Sequence, residues 1–133
     1  MPASYTIDHA DKVVRTESWG ILTDSEILDL YARLAADPEF DPAYKQLCDL
    51  HKVAQIAASS ETLRELANAS IFDKGTRRAI VVANDLDYGL ARMFQTYCDL
   101  AGVAIEIFRE REAAVAWLGV SSDTAAHDRH RTP

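Results

Sequence analysis

The segment Ala79-Ile80-Val81-Val82-Ala83 constrains the fold more than any other stretch of the chain. Five consecutive apolar residues bounded by polar ones describe a strand buried on both faces, which is the pattern of a central parallel strand. Asn84 follows at once and caps a long helix. Leu86, Leu90, Met93, Phe94, Tyr97 and Ala101 trace that helix's expected inner face, and Gly102 ends it. A strand running directly into such a helix is half of a βαβ unit, so the rest of the chain should supply further strands and crossovers.

The flanking segments read that way. Tyr5 to Asp8 and Val13 to Trp19 form an antiparallel hairpin, placed at a sheet edge because Arg15 and Glu17 put charge along one face. That edge, or an exposed helix face, is a candidate contact for a homodimer. Gly20 is expected to end the second strand. Thr23-Asp24-Ser25-Glu26 is a capping box, and Ile27, Leu30, Tyr31 and Leu34 continue it as a helix over 24–36. Asp37-Pro38 stops that helix. Lys45 to Leu50 is a short strand, followed by a loop to Ala58. Ser59 or Ser60 caps a second helix with Leu63, Leu66, Ala67 and Ile71 inward. Val103 to Phe108 is the last strand and Glu110 to Leu118 the last helix. The order ββαβαβαβα predicts an α/β fold, a five-stranded, mostly parallel mixed sheet covered by about four helices. Residues 1–119 form the domain. Residues 120–133 are polar, lack an apolar period and read as a disordered tail.

Composition narrows the function classes. The 133 residues suit one domain, and their net charge of -7 argues against nucleic acid, which needs a clustered positive field. The nearest basic cluster, Lys74, Arg77 and Arg78, reads as solvated loop charge. The same acidity limits membrane contact to a peripheral one. Cys48 and Cys98 lie within apolar patterns and read as reduced, buried thiols of a cytoplasmic protein. No secretory leader or membrane-spanning run is expected. His9, His51, His127 and His130 have no metal-ligand spacing, and no glycine loop cradles a phosphate, so no cofactor is expected.

Three local patterns, taken with the element order, resemble the SpoIIAA-like branch of the STAS superfamily over Tyr5 to Gly119. They are Trp19-Gly20-Ile21-Leu22-Thr23 entering the first helix, Asp49-Leu50-His51-Lys52-Val53 closing the middle strand, and Glu112, Ala113, Trp117 and Leu118 in the closing helix. The resemblance implies a non-enzymatic regulatory or protein-interaction module. Antagonists of this type carry a phosphorylated serine after the middle strand. Aligning on Asp49-Leu50 brings Ser59 onto that region, with Ser60 beside it. Ala57, Ala58 and Ser60 replace the family's acidic residue, first serine and glycine, and His51 replaces a serine.

Four constellations carry possible chemistry. Ser59 and Ser60 are candidate phosphoacceptors, and also ordinary helix caps. Asn84, Asp85, Tyr88 and Arg92 stand at the carboxyl end of the central strand, where open α/β sheets bind ligands. Cys48, Asp49 and His51 suggest a thiol protease, but Cys48 falls within a strand and His51 beyond its end, so a thiolate–imidazole pair is not forced, and no oxyanion donors are evident. Leu63, Leu66, Ile71, Phe72, Leu90, Met93, Phe94 and Tyr97 are packed core or the lining of a pocket for a small apolar or amphipathic ligand. The expectation is an interaction module, with a lipid-like carrier as the alternative.

Overall fold

The computed structural model describes residues 3–121, and from the remainder the backbone of 131–132. The elements in order are β1 (Ala3–Asp8), β2 (Val13–Thr23), α1 (Asp24–Ala36), β3 (Lys45–Ala57), α2 (Ser60–Asn68), β4 (Arg78–Val81), α3 (Asp85–Ala101), β5 (Ile105–Phe108), α4 (Arg111–Leu118) and β6 (Arg131–Thr132). The sheet order is β5-β4-β3-β2-β1-β6. β1 pairs antiparallel with β2 and with β6; β2, β3, β4 and β5 are mutually parallel. The five expected strands and four helices are present, and the two-residue β6 adds a short edge.

Because each parallel crossover steps to the next strand in the same direction, right-handed connections lay their helices on one face. The larger core lies there, beneath α1, α2 and α3, and includes Leu30, Leu34, Val53, Leu63, Ile80, Phe94 and Cys98. On the other face α4 covers only part of the sheet, packing Ala114, Val115 and Leu118 onto Val13, Leu47, Ala79 and Val81. The Arg15–Glu17 side of β2 faces a small polar cleft that Arg111, at the start of α4, also lines. β2 itself lies between β1 and β3, so Val13–Trp19 is not an edge, and that dimer contact is unavailable.

Two boundaries differ from expectation for one reason. Gly20, at φ +67°, sits at a bulge rather than a strand end, and β2 continues to Thr23. β3 likewise runs on to Ala57 instead of becoming a loop, with Trp19 paired to Lys52, Ile21 to Gln55 and Thr23 to Ala57. Among the described residues β1 pairs no further along β2 than Ser18, and β4 no further along β3 than Asp49. Beyond them the two strands form a parallel ribbon, one side solvated and the other burying Leu22 and Val53.

The Thr23 capping box forms as expected: Glu26 N–H donates to Thr23 Oγ1 at 3.4 Å, and Thr23 N–H donates to Glu26 Oε1 at 2.9 Å. The buried stripe of α3 is Asp87, Ala91, Phe94 and Cys98, whereas Leu86 is 71% exposed. Of the expected face, Phe94 is buried, Leu90 lines the space beneath the helix, and Tyr97 and Ala101 pack against the core; Leu86 does not share that face, and the small residues Ala91 and Cys98 are turned inward as well. Of the expected tail, 122–130 and 133 lie outside the described residues. Val120 packs under α4, and Ser121 N–H donates to Asp11 Oδ2 at 2.8 Å.

Candidate functional site

Paired parallel strands that end side by side start their helices side by side. Thr23 and Ala57 are partners, so α1 and α2 begin next to each other, and the Asp24 carboxylate accepts the Ser59 N–H at 2.8 Å. This hydrogen bond, first among the causes, holds the Asp24 pKa below the ordinary carboxylate value. Away from that tie the helices part, with α1 packed on β1 and β2 and α2 on α3.

The space between them is a groove of about 410 Å³. α1 contributes Leu28, Tyr31, Ala32 and Ala35; α2 and the turn after it contribute Glu65, Leu66, Ala69, Ser70 and Ile71; Arg78 is also in its lining. This volume lies within the roughly 300–1,000 Å³ usual for small-molecule sites. Tyr31 and Leu66 also line a smaller apolar chamber of about 70 Å³ bounded by α1, α2, α3 and the sheet. Its walls include Leu22, Leu30, Leu50, Leu63, Leu90 and Phe94.

Arg78 corrects the sequence reading. It is not loop charge but the first residue of β4, paired with Gln46 and Ile105, and 3% exposed. Strand pairing on both sides carries it under the helices. Its Nε donates to Gln46 Oε1 at 2.9 Å and its Nη1 to Ser70 Oγ at 3.3 Å, while the guanidinium lies 4.6 Å from the Phe72 ring centre. Gln46 Nε2 in turn donates to Thr16 Oγ1 at 3.0 Å and Tyr31 Oη at 2.9 Å. Burial pushes the Tyr31 phenol up, and nearby Arg78 partly offsets this. Periodicity could not find Arg78, because a charged residue at a strand's first position looks like the turn before it.

Of the expected pocket residues, Leu63, Leu66, Leu90 and Phe94 line the chamber, and Ile71 lines the groove. Phe72 is buried edge-on against Phe40, at 5.3 Å between ring centres, and supports Arg78. Met93 and Tyr97 line neither space; Tyr97 stacks beneath Arg64. α1 was not expected to contribute, yet it supplies a wall of both.

The other constellations separate. Ser59 is the N-cap of α2, its Oγ accepting from Thr62 N–H at 3.2 Å, and Ser60 is the exposed first residue of the helix. Asn84 caps α3 through Asp87 N–H at 2.8 Å. Asp85 pairs with Arg109 at 2.8 Å, Tyr88 lies under the same guanidinium, and Arg92 is exposed. None of these four lines the groove or the chamber. Cys48 lines the chamber, with burial pushing its thiol up to about 11. Asp49 instead pairs with Arg111 at 3.0 Å, and His51 is exposed, so no thiol–imidazole–carboxylate set forms from these residues.

No helix among the described residues is long and apolar enough to cross a membrane. No family model matches the sequence, and no curated protein matches it. Among solved structures the fold is similar to an uncharacterized DUF3478-family protein with a SpoIIAA-like fold from Shewanella loihica PV-4. The TM-score is 0.56 at 17% identity, over 87% of this chain and 93% of that one. Three crossover helices on one face of a mixed sheet, a fourth on the other, and this structural likeness together make the chain's fold SpoIIAA-like.

Proposed function

We propose that the protein is a non-enzymatic binding protein for a small, largely apolar ligand held between α1 and α2. The observation that carries this reading is the groove of about 410 Å³, which shares its Tyr31 and Leu66 wall with a neighbouring apolar chamber. Apolar walls with a few convergent polar groups are the usual make-up of a ligand site. A ligand that binds only the folded chain raises its melting temperature with concentration. Titration with 1-decanol should therefore raise Tm, and Leu66→Trp, which fills the shared wall, should abolish the rise. No shift with decanol or any other apolar ligand of similar length removes the reading.

A second reading, a protein-interaction module, draws on the ribbon. Trp19 and Ile21 are 39% and 55% exposed there, and β3 beyond Asp49 has no second strand partner among the described residues. If the occupant is a second copy of the chain, sedimentation should show a dimer that Ile21→Lys dissociates. A monomer at all concentrations rejects this form of it.

A further inference from the structure

We propose that the ligand of the groove is an amphipathic carboxylate whose head is bound by Arg78 and the Tyr31 hydroxyl. This rests on the ligand-binding reading above and names the chemistry that the site selects. The chain has 21 acidic residues against 14 lysines and arginines, so acidic partners are plentiful. The other buried arginine, Arg15, has Asp8 at 2.8 Å and Asp11 at 3.5 Å, and half-buried Arg111 has Asp49 at 3.0 Å. Arg78 is more buried than either, yet among the described residues no carboxylate pairs with it. Its contacts are the Gln46 amide, the Ser70 and Tyr31 hydroxyls and the Phe72 face, all neutral. A buried cation without a counter-charge is costly unless a partner arrives from outside.

The position of the guanidinium says where that partner sits. Arg78 and Tyr31 line the same groove, whose other walls are mainly apolar. Tyr31 Oη already accepts from Gln46 Nε2, which leaves its own proton to donate. A guanidinium and a hydroxyl donor lining one groove suit the planar, singly charged carboxylate. A phosphate monoester would add a second negative charge that Arg78 cannot neutralise, and Glu65 in the groove lining opposes it further. From the head, the apolar side of the groove at Leu28, Ala32, Ala35, Leu66 and Ile71 receives the tail, with the apolar chamber behind Tyr31 and Leu66.

Calorimetry on the full chain with decanoate, 1-decanol and decyl phosphate tests this. Decanoate should bind at least about tenfold tighter than decanol, the scale of a charge-assisted hydrogen bond. Arg78→Met should erase that preference while decanol still binds. If Arg78→Met does not fold, Gln46→Glu places a carboxylate on the guanidinium from within and should erase the preference likewise. Decanol binding as tightly as decanoate overturns the inference and leaves the ligand-binding reading standing. Decyl phosphate binding more tightly than decanoate overturns the choice of carboxylate. If none of the three binds, both the inference and the reading beneath it fail.

Discussion

The Asp24 carboxylate accepts the Ser59 backbone N–H at 2.8 Å, which fastens the start of α2 to the first turn of α1. The groove opens beyond this tie, so the bond acts as its hinge pin. Ser59 Oγ caps the same helix end. Ser59→Ala should cost about 1 kcal/mol, the usual loss for a serine cap, as read by urea denaturation. Ser59→Glu should destabilise as well, since it brings a second carboxylate to Asp24. Relief of that loss by Asp24→Asn would identify repulsion as its cause; equal losses in both backgrounds would reject it.

Gln46 is the hub of the buried network beneath α1. Gln46→Leu takes a hydrogen-bond partner from the Arg78 Nε, the Thr16 hydroxyl and the Tyr31 hydroxyl at once. At about 1–3 kcal/mol for each orphaned buried group, the loss should reach roughly 3 kcal/mol or more. Gln46→Glu should be far milder, because both hydroxyls can reverse and donate to the carboxylate while Arg78 gains a counter-charge. Thermal melting ranks the two, and a glutamate variant no more stable than the leucine one contradicts the account.

Asp8 and Arg15 form a buried ion pair at 2.8 Å on the opposite face. Burial raises the Asp8 pKa, but the Arg15 hydrogen bond and charge, with the Asp11 and Ala10 amides, outweigh it and hold the group below its ordinary value. Its contribution is therefore complete above pH 4 or so and disappears as pH falls through the lowered folded value. Asp8→Asn should cost on the order of 3 kcal/mol at pH 7, near the low end for a broken buried pair because Asp11 remains close to Arg15. The variant should also show a shallower stability loss below pH 4 than the parent. A parallel pair of acid curves would rule this out.

The two thiols set the alkaline limit. Burial pushes both Cys48 and Cys98 from 9.0 up to about 11. In the unfolded chain they ionise first, so stability is intact below pH 9 and falls between 9 and 11. Each thiol accounts for up to roughly 2–3 kcal/mol by the top of that range. Guanidinium denaturation of the parent and of Cys48→Ala/Cys98→Ala across this range should give a flatter curve for the variant. Native protein at pH 8 should also resist alkylation at both cysteines until it unfolds.

Sequence patterning was enough for the α/β class, the element order and the capping of α1 and α3, because these depend on neighbours within a few residues. The apolar run at Ala79–Ala83 identified β4 as central for the same local reason: a strand covered on both faces needs no polar positions. The lengths of β2 and β3 were not legible. Gly20, His51 and Lys52 look like punctuation until the strands are set side by side and each is seen to support the other. On α3 the burial of Ala91 and Cys98 and the exposure of Leu86 were not legible, because nothing local favours Ala91 over Leu86; the distance to the sheet decides. The groove belongs wholly to the tertiary structure. One of its walls comes from α1, separated in sequence from α2 by the whole of β3. The burial of Arg78 follows from strand pairing on both sides rather than from its own neighbours. Local sequence specifies which segments are helix and strand, but a binding site is made of distances between them, and only packing determines those.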